Sequence, residues 1–448
     1  MNARRIVLRH IVILPGVLLF ASVAQVSADI ILPPELHRMV QVADPKSPAA
    51  KAIEAAQTAI SKRNKDEARK SLENLATDPN TVHPEILLSE LLSLAGYAGD
   101  GRAVLEQFSS KQPQRIDLLL AFCELAVREK RWFDGWTLAN SSVRAEVPDH
   151  WSPTFRKHVT DRLQTLKAIC CEGRGDWKGA QEIYANFVTG DAASTDAISG
   201  LGRTSFHLGD AKASLRYFEQ LKQLKPETMP PQLLLAQMYE MTGKPEEAEV
   251  SYREALKASS GIEATKVALA FARRLIQTNQ PGPAAELLTD EIKDSPENET
   301  ERRFLQALVA RMEGRTEDAR KILSPLHQQN PTTFVISNQL ALVLSRNDDE
   351  SLRARALQIA EGNVRNLQRS SDAWATLGWI QFQLGDPGTA EKSIANAAQL
   401  GPLNRDTVYY LLQLKKAQGD AQAVELLEKA FADTPGPVFF TALKSSSP

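Results

Sequence analysis

SDAWATLGWIQFQLGDPGTAEKSIANAAQLGP, residues 371–402, holds two apolar stripes on either side of a Gly-Asp-Pro break. Trp374, Leu377 and Gly378 stand three and one apart in the first half; Ala390, Ile394 and Ala397 stand four and three apart in the second, and Pro402 closes the stretch. Spacings of three and four put each set on one face of a helix. The small residues let two helices approach closely, Gly385-Asp386 supplies a turn between them, and a proline cannot continue the second helix. The stretch therefore predicts an antiparallel pair of helices, a packing unit with no reactive group at its centre.

The same intervals recur along the chain. Ile198, Leu201, Gly202, Ser214, Phe218, Leu221 and Pro226 repeat them without a gap, and Ala307, Ala310, Ala319, Leu323, Leu326 and Pro331 follow the same register. The equivalent small residues Ala180, Ser214, Ala248, Ala284, Ala319, Ala356, Ala390 and Ala423 lie 34, 34, 36, 35, 37, 34 and 33 residues apart. Gly209-Asp210, Gly243-Lys244-Pro245 and Gly314-Arg315 mark further turns. Asn347 to Glu350 lengthens one of them and should bulge into solvent.

A period near 34 with this signature resembles the tetratricopeptide repeat family. The resemblance covers Ala168 to Pro435 and implies an all-α fold, a right-handed α-solenoid superhelix of about eleven helix-turn-helix repeats. Residues 49–148 fit more loosely and read as irregular helix pairs ahead of a regular array over residues 154–437. Between them Ala145 to Pro153, with Pro148, Trp151 and Pro153, breaks the rhythm and reads as a bend.

The ends differ in kind. Arg4, Arg5 and Arg9 precede an apolar run from Ile11 to Val26 that ends in small residues at Ala28, which reads as a signal peptide over residues 1–28. On that reading the protein is exported, periplasmic or extracellular, with no membrane span after cleavage; an uncleaved run would anchor it. Residues 29–48 carry four prolines and read as an extended linker. Residues 438–448 read as a cap, Val438 to Leu443 folding back on the last unit, followed by a disordered tail.

Composition excludes several classes. Fifty-three basic against 55 acidic residues leave a formal charge of -2, so no global field draws the chain to nucleic acid. Three cysteines, Cys123, Cys170 and Cys171, are too few for a disulfide framework. Cys170 and Cys171 point to different sides of one helix, and either could meet Cys123 if neighbouring helices align. Histidines are scattered without the i, i+4 spacing of a zinc helix, and no Gly-rich loop follows a strand. Arg174-Gly175-Asp176 spells an adhesion tripeptide but falls where the repeat requires a turn. No catalytic residue, metal site or cofactor is expected.

What remains is surface. In the tetratricopeptide family the first helix of each unit lines a concave wall that holds an extended peptide or a partner helix. Helical phasing offers Arg203, Phe206, Met241, Arg273, Phe304, Arg311, Met312, Trp379, Phe382 and Lys415 as groove residues, with Arg346 and Lys416 adding charge. Arginines and lysines among aromatic anchors would suit an acidic, partly apolar segment. The carboxylate-clamp set known in the family is not matched. The expectation is a non-enzymatic protein–protein interaction scaffold; the alternative is an envelope assembly or export-machinery subunit in which the array is a docking spacer.

Overall fold

The computed structural model describes residues 44–188, 194–289 and 296–439. Among them there are twenty-two α-helices and no strand, paired as eleven hairpins. The first six are α1 (Pro48–Ser61) with α2 (Lys65–Leu72), α3 (Pro84–Leu94) with α4 (Ala98–Ser109), α5 (Ile116–Arg128) with α6 (Trp132–Ser141), α7 (Pro153–Gly173) with α8 (Trp177–Ala185), α9 (Thr195–His207) with α10 (Ala211–Leu224), and α11 (Pro231–Met241) with α12 (Pro245–Ala258). The other five are α13 (Gly261–Gln277) with α14 (Pro281–Leu287), α15 (Pro296–Met312) with α16 (Thr316–Gln329), α17 (Phe334–Leu344) with α18 (Glu350–Asn366), α19 (Ser371–Gln383) with α20 (Pro387–Leu400), and α21 (Arg405–Ala417) with α22 (Ala421–Asp433). The chain is an all-α solenoid, as the period requires.

Ten of the eleven hairpin turns are three residues long, and the middle residue of each has a positive φ: Arg63, Gly96, Lys130, Gly175, Gly209, Gly243, Asn279, Gly314, Gly385 and Gly419. That left-handed residue ends the first helix, and glycine takes it at least cost. The next residue opens the second helix. Asp176, Asp210, Asp386 and Asp420 each accept a backbone N–H three residues on, satisfying a donor that the helix start would otherwise leave bare. Arg174-Gly175-Asp176 is one of these turns. The exception is Ser345–Asp349, five residues long, exposed from Arg346 onward apart from half-buried Asn347.

Within each hairpin the helices touch through small residues. A Cβ on Gly202 would lie 2.4 Å from the Phe218 ring, and one on Gly378 would lie 2.7 Å from Ile394 Cγ1 and 2.9 Å from the Ala390 carbonyl oxygen. Ala180, Ser214, Ala248, Ala284, Ala319, Ala356 and Ala390 are fully buried opposite.

Contacts divide the chain into two compact units between Ser251 and Tyr252. In the N-terminal unit one apolar cluster runs from Ala49 to Cys170, straight through the break in rhythm at residues 145–153. That segment is a strap laid over the unit. Glu146 pairs with the chain before α5, its N–H donating to Gln114 O (2.8 Å) and its carbonyl accepting from Ile116 N (3.0 Å). Trp151 is buried against Phe155, and Ser152 N–H donates to Pro79 O (2.9 Å). Cys170 belongs to this cluster and Cys171 to the next one. All three cysteines are buried free thiols. Cys123 donates to Gly135 O (3.3 Å), and the adjoining Cys170 thiol, with burial, pushes its pKa up.

In the C-terminal unit the chain leaves α22 at Thr434 and turns at Gly436, whose φ is 140°. Gly436 O accepts from Arg405 Nη1 of the last hairpin (3.0 Å), and Val438 reaches the α13–α14 turn, where its N–H donates to Asn279 Oδ1 (3.2 Å). The expected signal peptide, most of the linker and the chain beyond Phe439 lie outside the described residues. Among those described, no helix is long and apolar enough to cross a membrane.

Candidate binding site

The first helices of five successive hairpins in the C-terminal unit, α13, α15, α17, α19 and α21, contribute to one cavity of about 220 Å³. Ile276, Phe304, Leu308 and Leu342 give it apolar walls; Arg274, Asn338, Gln339, Asp372, Thr376, Arg405, Asp406 and Tyr410 bring polar groups to it. Apolar walls with a few convergent polar groups are what a binding site requires.

The polar groups are held from below. Asn404 precedes α21, caps it by accepting Thr407 N–H (2.8 Å), and donates its Nδ2 to Asp372 Oδ1 (2.6 Å). Burial pushes the Asp372 carboxyl up, and pushes that of Asp406 up to about 6 against the pull of Arg311. Asn338 is 5% exposed, and its Oδ1 accepts from no neighbour. Arg311, also 5% exposed, donates Nη1 to Gln339 Oε1. Among the described residues no carboxylate lies within ion-pair reach of it. Its guanidinium instead stands 4.5 Å from the centre of the Phe439 ring.

The ten residues expected in a groove fare differently. Phe304 lines the cavity and Arg311 borders it through Phe439. Trp379, 7% exposed, stacks on Tyr410 (centroids 4.8 Å apart) and Phe382 tilts against it, so the pair supports the wall from behind. Met312 is buried. Arg273 and Lys415 are tied to Glu301 and Glu391, and Lys416 lies 2.8 Å from Glu428. In the N-terminal unit Arg203 is core: it forks onto Glu172 through Nε and Nη2, both at 2.8 Å, and Glu172 also accepts from Tyr184 Oη (2.6 Å). Phe206 is buried against Tyr239, and Met241 is 57% exposed. The charges expected to attract an acidic partner are thus mostly paired within the chain.

Asn338, Gln339, Asp372, Asp406 and Asn279 escaped the sequence reading, which folded the tail back without naming these residues. Asp372 and Asp406 sit in the first turns of α19 and α21, where an acid is ordinarily a helix-start charge; nothing in their spacing separates the two roles.

Residues 232–261, the hairpin of α11 and α12, match the family model described as Tetratricopeptide repeat. Its three-residue turn with a left-handed middle residue recurs in ten of the eleven hairpins. The matched hairpin is a tetratricopeptide repeat, and the chain is built of hairpins like it. Similar solved structures include a tetratricopeptide repeat protein from Parabacteroides merdae (14% identity over 67% of this chain and 98% of that one, TM-score 0.33). The Cut9–Hcn1 hetero-tetramer of the APC/C follows at 12% identity, covering 90% of this chain and 82% of that one, TM-score 0.34. The P58(IPK) TPR domain matches at 11%, covering 83% and 99%, TM-score 0.26. At these scores the assignment rests on the matched residues and the hairpins. A comparison with curated proteins found no match. The tetratricopeptide fold is one used to build protein–protein interaction scaffolds.

Proposed function

We propose that this repeat protein is a non-catalytic scaffold that holds a segment of a partner protein in the cavity of its C-terminal unit. The observation that carries the reading is the convergence of five first helices on one apolar-walled cavity bearing a buried amide oxygen without a donor, Asn338 Oδ1. A photo-crosslinking residue placed at Thr376, in the cavity, should capture a partner in the native cell, and the same residue at Glu361, on the exposed face of α18, should not. Equal capture from both positions sinks the proposal. Export is part of the reading through residues 1–28, and N-terminal sequencing of the mature protein decides it.

One observation favours the spacer alternative, in which the N-terminal unit docks on an envelope assembly. Phe133 is 64% exposed, stacks with Trp136 and lies under the Arg174 guanidinium, and Val143 is 84% exposed. Phe133→Ser would release the protein from such an assembly while leaving the Thr376 crosslink unchanged.

A further inference from the structure

The last described residues occupy the cavity themselves. Arg405 Nη1 donates to Gly436 O (3.0 Å), Val438 N–H donates to Asn279 Oδ1, and the Phe439 ring, 5% exposed, faces Arg311. Two of these three anchors grip backbone and carry no sequence preference; the ring carries it. We propose that Pro435–Phe439 is the resident ligand of the cavity, and that the partner displacing it is an extended protein segment presenting a proline and an aromatic side chain in the places of Pro437 and Phe439.

Three features argue for displacement by such a segment. The tail fills the site incompletely, leaving about 220 Å³ and the Asn338 oxygen without a donor. A longer segment that donates an N–H there gains what the tail forgoes, since a buried acceptor left unmet is costly. Arg405, which also lines the cavity, leaves its buried Nε without an acceptor, so a segment that offers a carbonyl there gains a second bond the tail does not make. Finally, a tethered tail acts at an effective concentration on the order of millimolar, so it screens out weak ligands without closing the site to a better one.

This inference rests on the scaffold reading for the site and adds the chemistry of its ligand. The probe is a fluorescently labelled peptide of residues 433–439, DTPGPVF, titrated into the full-length chain and followed by anisotropy. Phe439→Ala in the protein should tighten binding about ten-fold or more by emptying the site. Asn279→Gly, which keeps the turn and removes the acceptor, should tighten it several-fold. A peptide with Phe439→Ala should lose binding. Unchanged affinity in both protein variants overturns the resident-ligand proposal; if Phe439→Ala proves unfolded by circular dichroism, Asn279→Gly decides alone. Equal or tighter binding of the Phe439→Ala peptide overturns the aromatic anchor. Failure of the Thr376 crosslink with these affinities as expected removes the scaffold reading and leaves the tail's role intact; the reverse pattern removes only the tail's role.

Discussion

Arg203 and Arg311 are equally buried, at 5% exposure, and both stand on the first helix of a hairpin, yet their surroundings differ in kind. Arg203, in the N-terminal unit, has a two-pronged carboxylate in Glu172, with Tyr184 and Ser199 completing the set. Arg162 meets Glu124 in the same unit, again below the surface. Arg311, in the C-terminal unit, has an amide oxygen and an aromatic ring. A buried ion pair satisfied on every side fixes neighbouring hairpins and offers nothing to a partner. A buried cation without a carboxylate, beside a cavity, is strained toward whatever enters it. Burial alone therefore does not separate core from site; the completeness of the partner set does.

Breaking the Arg203 set should have the largest effect. Arg203→Met strands Glu172 as a buried carboxylate and should cost about 3–5 kcal/mol by urea denaturation; a loss below about 1 kcal/mol would show the pair to be dispensable. Next come the close contacts of the hairpins, present in both units. A Cβ at Gly200 would fall 2.3 Å from the Tyr184 ring and one at Gly378 would press on Ile394 and the Ala390 carbonyl, so Gly200→Ala and Gly378→Ala should each lose about 1–3 kcal/mol.

Asp406 sharpens the contrast through pH. Its carboxyl is pushed up to about 6 in the folded chain, above the ordinary value of about 3.9. The folded state thus holds its proton longer than the unfolded one, and stability falls as pH rises from about 4 through 6. Asp406→Asn removes that loss. The variant should match the parent near pH 4 and exceed it by about 1–3 kcal/mol above pH 7, read as a growing difference in Tm; a constant difference would contradict the shift. The smallest effect is expected at Arg311. Arg311→Met should cost clearly less than Arg203→Met, since it loses an amide bond and a longer-range pull on Asp406 and breaks no ion pair, and an effect as large as that of Arg203→Met would erase the distinction between the two units.

Periodicity made the hairpins legible because each unit must bury the same stripe, and the three-residue turns left a Gly or Gly-Asp signature in most copies. It failed at Arg63, Lys130 and Asn279, which take the left-handed position without glycine. The site was less legible. Arg203 stands eleven residues before Ser214, as Trp379 does before Ala390, and Arg311 stands eight before Ala319, as Phe206 does before Ser214. Register therefore names positions that face a neighbouring helix, and the identity of that neighbour decides the rest. Phe304 and Arg311 could be proposed from phase alone. Asn338 and Asp406 could not, because their roles depend on four other helices and on a tail that lies far away in sequence.

The strap at residues 145–153 bears on how the molecule comes apart. A solenoid held only by contacts between successive hairpins can fray one unit at a time from its end. Ser152 reaches back to Pro79 and Asn80, and Glu146 to Gln114 and Ile116, so the residues just before α7 are bonded to the connections that precede α3 and α5. Hairpins two and three are thus tied at their starts to the segment that leads into the fourth, and neither can detach without breaking those bonds. Past the first hairpin, fraying of this end becomes a collective event that takes hairpins two and three together with the strap.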